Sequence, residues 1–365
     1  MTSESCYYLC RNADGEFLSG RGGSLGVSSL ANDACMWRVA DQQLHCADSD
    51  LALDLMSDPA LNFEEESCQL RNVSGTLVLQ PGPSRLPSEH LAELQAEGFT
   101  VMERALDAPA ISRFKAQAVG KRASGHADET PNDGFFWMMG GLSWSPELCH
   151  GVTHPVVLWL MQQYMSTEHI HFCHQPVIST LKPADTLRGT NPKLFWHSDY
   201  PYHPGVFPDD DWPQTPIFGV QFNICIDAFE AVNAATQFVP GSHVLSKGPP
   251  IEFNEGGTRM GEGVHKNVQQ FIAPAGAALI YDSRTWHRAC YELNLSGKDR
   301  MAVLNAVTPS WVRPMMDKKP VSEWYANSDV PAALTKRERR DITRLCNSSI
   351  LPTPEDMPKL SQRLK

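Results

Sequence analysis

The sequence has no CxxC pair, although ten cysteines are scattered along its 365 residues. With no export signal at the start, they read as reduced, mostly buried thiols rather than a disulfide framework. No apolar run approaches the roughly 20 residues of a membrane span. The opening "MTSESCYYLCRNADGEF" lacks the basic n-region and apolar h-region of a secretory signal, so a cytoplasmic protein is expected. Positive charge is scarce: 31 Lys and Arg against 42 Asp and Glu give a net charge of −11. That argues against nucleic acid or an anionic membrane surface as a partner. There is no GxSxG hydrolase elbow. The glycine-rich "GRGGSLG" (20–26) lacks the Lys-Ser/Thr ending of a phosphate loop. What is present is ordinary globular composition, 42% hydrophobic and 20% charged, in a chain long enough for one large domain and a small one, or two of medium size.

Residues 1–80 are rich in Gly, Ser, Asp and Cys. A faint repeat aligns "CMWRVADQQL" (35–44) with "CQLRNVSGTL" (68–77), each reading as a strand, a tight turn and a second strand. These hairpins resemble those of β-trefoil modules. The region reads either as a small β accessory domain or as an extension packed on the main domain. "LQPGPSRLPSEH" (79–90) is linker-like, with Ser88 a candidate helix cap. A helix, the short strand "FTVME" and a second helix follow. After a helix around 156–165 the chain becomes β-rich, with candidate strands in "HIHFCHQPVISTLKP", "IFGVQFNICID", "ATQFVPGS", "QQFIAP", "AALIYDS", "HRACYEL" and "RMAVLNAVTPS". Many short strands with Pro/Gly turns predict a sandwich or barrel. From 321 the chain reads as helix and loop, and "KRERR" (336–340) as a solvated helix face.

The chemistry is concentrated in "FWHSDYPYHP" (195–204). On a strand, His197 and Asp199 point to one face. Two histidines and a carboxylate hold non-haem iron on three positions and leave three open. The spacing alone is common, and its plain alternative is a polar pair on a sheet surface. The third ligand has to come from His203, His243, His265 or His287. His287 follows a β run and a turn, whereas His243 ends "PGSH" and His265 lies in the glycine-rich "GTRMGEGVHKN". An oxygenase using 2-oxoglutarate also needs a cation for the far carboxylate, and the arginine fork suits it. Arg300 opens the strand after His287. "HIHFCHQ" (169–175) reads as one polar face of a strand rather than a second metal site.

From about 86 to 315 the chain resembles the phytanoyl-CoA dioxygenase family of Fe(II)/2-oxoglutarate oxygenases. The resemblance rests on "LAELQAEGFTVMERAL", "LKPADTLRGTNPKLFWHSDYPY", "FNICIDAFEAVNAATQFVPGSH" and "WHRACYELNLSGKDRMAVLNAVTPSWVRP". It implies His197, Asp199 and His287 as iron ligands, Arg300 and Lys182 at the co-substrate, and Tyr202 as an aromatic beside the site. It further implies Fe(II), 2-oxoglutarate and O2 as cofactors. Two departures stand out: Ala234 where glycine is frequent, and Ala289 where some members carry a serine that helps bind 2-oxoglutarate. Asp199 favours hydroxylation over halogenation, because related halogenases lack this carboxylate.

These readings predict a mainly β protein with flanking helices: a double-stranded β-helix (jelly-roll, cupin-like) core over 81–320, a small β domain over 1–80 and a helical tail over 321–365. The expected activity is hydroxylation, or another oxidation, of a small-molecule metabolite with release of succinate and CO2. Phe195, Tyr200, Tyr202 and Gln221 are candidate pocket lining, and Trp196 faces either the pocket or the core. The alternatives are a non-catalytic jelly-roll scaffold, a cupin-like metalloenzyme without 2-oxoglutarate, and an acyl-CoA hydroxylase. The oligomeric state is left open.

Overall fold

The structure, a computed structural model, describes residues 7–41, 43–54, 62–64, 69–72, 75–124, 128–129, 135–184, 195–207, 211–255, 260–289 and 294–347. Part of the second N-terminal repeat, residues 208–210 and residues 348–365 lie outside them.

The first sheet is built from β1 (Tyr8–Arg11), β2 (Phe17–Ser19), β3 (Gly26–Ser28), β4 (Trp37–Ala40), β5 (Gln43–Cys46), β6 (Ala52–Asp54), β7 (Asn62–Glu64), β8 (Gln69–Asn72) and β9 (Gly75–Pro81). Its order is β6-β5-β4-β1-β9-β8-β7, with β2 attached to β1 and β3 to β2. The two repeats are the antiparallel hairpins β4–β5 and β8–β9. The sheet keeps a small apolar cluster of its own around Trp37, Leu44 and Leu53. Tyr7, Leu9, Phe17 and Met36 instead join the large core of the rest of the chain.

Two further sheets carry the β-rich region. The larger contains β10 (Phe99–Met102), β11 (Asp128–Glu129), β12 (Phe135–Met138), β13 (Ile170–Leu181), β14 (Val220–Cys225), β17 (Ala278–Asp282) and β19 (Arg300–Pro309), in the order β10-β17-β14-β19-β13-β12-β11. The smaller runs β16 (Gln269–Gln270), β15 (Gln237–Phe238), β18 (His287–Arg288). All the segments expected to be strands contain one. One face of the larger sheet, with Phe222, Ile224, Ile280, Val303 and Val307, packs against the helices α1 (Pro87–Glu97), α2 (Ala108–Ala123), α3 (Pro146–Val152) and α4 (Pro155–Tyr164).

Local chemistry sets the helix ends. Asp107 caps α2 by accepting from Ala110 N, and Ser145 caps α3 by accepting from Leu148 N. Ser88 is not a cap: α1 begins at Pro87, and the Ser88 hydroxyl donates to Asp33 of the N-terminal region at 2.5 Å. Gly98 ends α1 at φ 83, and a side chain there would meet His243 Nδ1 at 2.5 Å, so glycine is required on both counts. Ala234 takes φ 59, a left-handed conformation that explains why glycine suits this turn.

The C-terminal helices are α5 (Lys319–Ala326) and α6 (Lys336–Cys346). The "KRERR" run departs from expectation, because Arg337 and Glu338 are buried. Arg337 donates to Gly15 O, Thr153 O and Asp341, while Glu338 pairs with His150 and closes a capping box with Thr335. This helix thus ties the N-terminal sheet to α3. The seven described cysteines are all buried and unpaired. Among the described residues, no helix is long and apolar enough to cross a membrane.

Candidate metal centre

The segment holding His197 and Asp199 is not a regular strand. It touches β18 through one antiparallel bridge, with His197 N donating to His287 O at 3.1 Å and His287 N to His197 O at 3.0 Å. Asp199 N donates to Ser283 O at 2.7 Å. These contacts bring His197, Asp199 and His287 together, with one ligand atom from each lying within 4.8 Å of the others. It is the one such cluster of His, Cys, Asp or Glu among the described residues.

Each imidazole is oriented by the same device. His197 Nδ1 lies 2.7 Å from Phe195 O, and His287 Nδ1 lies 2.9 Å from Thr285 O. A carbonyl only accepts, so Nδ1 carries the proton and Nε2 is left for a ligand. Both Nε2 atoms face Asp199, at 3.7 Å from Oδ1 for His197 and 3.3 Å from Oδ2 for His287. Burial alone would raise the Asp199 pKa, but His287, His197 and the Tyr281 hydroxyl overcome it and hold the carboxyl well below the usual range. Burial would lower His287; the adjacent carboxylate overrides it and raises this imidazole. Burial, then His287, lowers His197. The cluster opens on one side: the side chain of His197 is 43% exposed, that of Asp199 22% and that of His287 7%.

The inner face of the larger sheet forms the wall behind this cluster. Gln221 pairs with Tyr281 and Ala306, Asn223 with Leu304 and Cys225 with Ala302, so these side chains share a face. Two-residue alternation along β19 puts Arg300 on the same face. Arg300 is 7% exposed, its guanidinium lies 3.9 Å from the Phe229 ring centroid, and its Nε has no hydrogen-bond partner among the described residues. No carboxylate is within salt-bridge reach among the described residues. Burial pushes the Arg300 pKa down to about 10, so it stays charged at neutral pH. Lys182 is half-buried and directly follows Leu181, the cross-strand partner of Arg300.

The other candidates separate clearly. His243 Nε2 lies 3.1 Å from Gln95 O and His265 Nε2 3.1 Å from Phe253 O, so both serve packing. His203 stacks edge-on to Tyr200. Phe195 is exposed beside His197, and the Tyr200 hydroxyl donates to Arg313 O at 2.7 Å. Gln221 is buried and donates to the Ser283 hydroxyl at 3.3 Å. Tyr202 is a correction. It is wholly buried, its hydroxyl accepts from Phe218 N, and its ring packs among Phe207, Trp212 and Phe218. It has no surface to offer a ligand and belongs to the core. Trp196 is likewise buried, against Phe253 and Trp286. In "HIHFCHQ", His171 contacts Val312 O and Lys318 rather than other metal-ligating groups.

Sequence reasoning missed four contributors. Tyr281 donates to Asp199 Oδ2 at 3.1 Å and sits edge-on to His287. Phe238 stacks on His287 with ring centroids 5.6 Å apart. Asp282 and Arg284 brace the turn before His287. The signal was present in "YDSR" (281–284), a charged pair two apart, shortly before His287.

The phytanoyl-CoA dioxygenase (PhyH) family matches residues 94–302, and the chain belongs to this family. Its members are Fe(II)- and 2-oxoglutarate-dependent non-haem oxygenases, and the chain is an oxidoreductase of that type. Uncharacterised proteins of Mycobacterium bovis and Mycobacterium tuberculosis are each 24% identical over 238 residues, 61% of this chain and 76% of theirs. Similar solved structures include the non-heme alpha ketoglutarate dependent carbocyclase SnoK from nogalamycin biosynthesis, with 16% identity and a TM-score of 0.47 over 66% of this chain and 92% of that one. The epimerase SnoN from the same biosynthesis has 17% identity and a TM-score of 0.43 over 61% and 83%.

Proposed function

We propose that the chain hydroxylates a small molecule, with His197, Asp199 and His287 holding Fe(II) and Arg300 binding the far carboxylate of 2-oxoglutarate. One observation carries this reading. A two-nitrogen, one-oxygen cluster and a buried arginine with no carboxylate partner among the described residues belong to the same interior. The donor set suits non-haem iron. An arriving carboxylate would satisfy the Arg300 donor that has no partner among the described residues.

When bound, Fe(II) with 2-oxoglutarate and O2 supplies the oxidising chemistry, with succinate and CO2 as co-products. The chain's own residues orient the reactants. The Phe195 and Thr285 carbonyls fix the imidazoles, and Tyr281 fixes the carboxylate. The exposed edge of His197, beside Phe195 and Tyr200, is the side open to a substrate, and Gln221 offers an amide from β14. Ala289 has no hydroxyl for the co-substrate, which leaves Arg300, with Lys182 near it, to hold that end. Asp199 fills the third protein position and favours hydroxylation over halogenation.

The two sheets, with the His197 segment bridged to β18 of the smaller one, fit a double-stranded β-helix over 81–320, with 1–80 as an accessory β domain and 321–365 as a tail. A small metabolite is favoured over an acyl-CoA because the net charge of −11 suits a CoA phosphate poorly.

The test is succinate release from 2-oxoglutarate with Fe(II) in air. Wild type should release succinate, and His197→Ala, Asp199→Ala and His287→Ala should each fall to background and lose Fe(II). Fe(II) retention by all three variants would sink the assignment. A wild type that neither binds Fe(II) nor turns over would favour a binding protein.

A further inference from the structure

The turn between β17 and β18, residues 282–285, touches two of the three residues of the cluster and the residue between His197 and Asp199. Ser283 O accepts from Asp199 N at 2.7 Å, Arg284 O from Ser198 Oγ at 3.0 Å, and Thr285 O from His287 Nδ1 at 2.9 Å. Three consecutive carbonyls of one turn therefore aim two of the three ligands and pin the residue between His197 and Asp199. The direction of those carbonyls depends on what fixes the turn.

The turn is fixed by a buried ion pair inside it. Arg284 Nε lies 3.0 and 3.2 Å from the two Asp282 oxygens, Nη2 lies 2.6 Å from Oδ2, and the Arg284 backbone N donates to Oδ1 at 2.7 Å. The side chain of Asp282 is fully buried and that of Arg284 nearly so. Tyr164 donates to Asp282 Oδ2 at 2.7 Å, and Arg284 Nη1 reaches Gln214 O at 3.0 Å. The pair thus links α4, the segment before β14 and the turn. A planar fork satisfying both oxygens of one carboxylate permits one arrangement of the residues between them.

We propose that Asp282 and Arg284 are positioning residues of the metal centre. Through the 283–285 carbonyls they hold His287 and Asp199 at the spacing a metal ion requires, without touching it. This rests on the reading of His197, Asp199 and His287 as the iron ligands. Partners one step removed from a metal typically alter its affinity by about 10–100-fold when changed.

The experiment titrates Co(II), an Fe(II) surrogate with a visible ligand-field spectrum, into the full chain. Arg284→Lys keeps the charge and removes the fork. It should weaken Co(II) binding about 10–100-fold and shift the spectrum. Tyr164→Phe, which removes one bond to Asp282, should weaken it by a smaller factor and decides the matter if Arg284→Lys does not fold. Phe222→Leu, on the opposite face of the sheet, should lower Tm while leaving affinity and spectrum as in wild type. That separates positioning from general destabilisation. Wild-type affinity and spectrum in a folded Arg284→Lys, or in Tyr164→Phe where that variant decides, overturns the proposal. Wild-type affinity in His287→Ala overturns the iron-site reading itself, and the positioning role with it.

Discussion

The two faces of the seven-stranded sheet are made by the same strands and differ in almost every property. On β14, Phe222 and Ile224 enter the large apolar core, whereas Gln221, Asn223 and Cys225 between them face the ligand cluster. On β19, Val303 and Val307 go one way; Arg300, Ala302 and Ala306 go the other. Asn305, whose amide donates to Phe222 O, is a polar exception on the helix side. The helix-packed face gains from burying apolar surface. The inner face buries polar and charged groups, and under the proposed function the partner of Arg300 is the co-substrate, so this face would carry chemistry at a cost in stability.

The largest effect on stability belongs to the helix-packed face. Phe222 is fully buried there, and Phe222→Ala should cost about 3–5 kcal/mol in urea unfolding. The surviving folded fraction should keep wild-type metal affinity and 2-oxoglutarate KM. A raised KM in that fraction would mean that the two faces are not separable.

The inner face should show the reverse. Arg300→Met keeps an apolar stem over Phe229 and removes a buried cation. Hydrogen bonds to charged groups contribute about 1.5–3 kcal/mol, so 2-oxoglutarate KM should rise about 10–100-fold. Tm should stay level or increase, because an unpaired buried charge is gone. An unchanged KM would move the co-substrate site elsewhere on this face.

How much of this was legible depended on whether the needed information was local. Period-two alternation marked the strands, and a β run followed by a turn singled out His287. Arg300 could be assigned to a strand, but its face needed the β13–β19 register, which only pairing supplies. Tyr202 was placed beside the site by family resemblance alone, and its burial among Phe207, Trp212 and Phe218 comes from distant residues that no local pattern shows. The "KRERR" run was misjudged for a longer-range reason: the carbonyls that permit Arg337 to be buried belong to Gly15 and Thr153, far away in sequence. Buried polar networks are specified by distant partners, so they are the least legible part of a fold.

The inner face also holds a second buried cation, and it supplies the smallest and most specific prediction. Lys318 is 1% exposed and packs where His171 and Thr308 pair at the far end of β13 and β19. Its Nζ lies 2.6 Å from His171 Nδ1 and donates to Asn347 O at 2.8 Å. Burial pushes the ammonium from an ordinary 10.5 down to about 8. Between those values the unfolded chain holds a proton that the folded chain has released, so this group makes stability rise with pH across the window. Below it both states are protonated and the cost of burying the charge is fully present. Lys318→Met removes that cost, of order 2–3 kcal/mol, but also removes the ammonium's hydrogen bonds to His171 Nδ1 and Asn347 O, at about 1–2 kcal/mol. The net gain at pH 7 should be about 1 kcal/mol. Relative to wild type, the variant should then lose about 2–3 kcal/mol between pH 8 and 10.5. Urea unfolding of both proteins at pH 7 and pH 9.5 measures this, and a difference that stays constant across the window would show that Lys318 is not a buried charge in the folded protein.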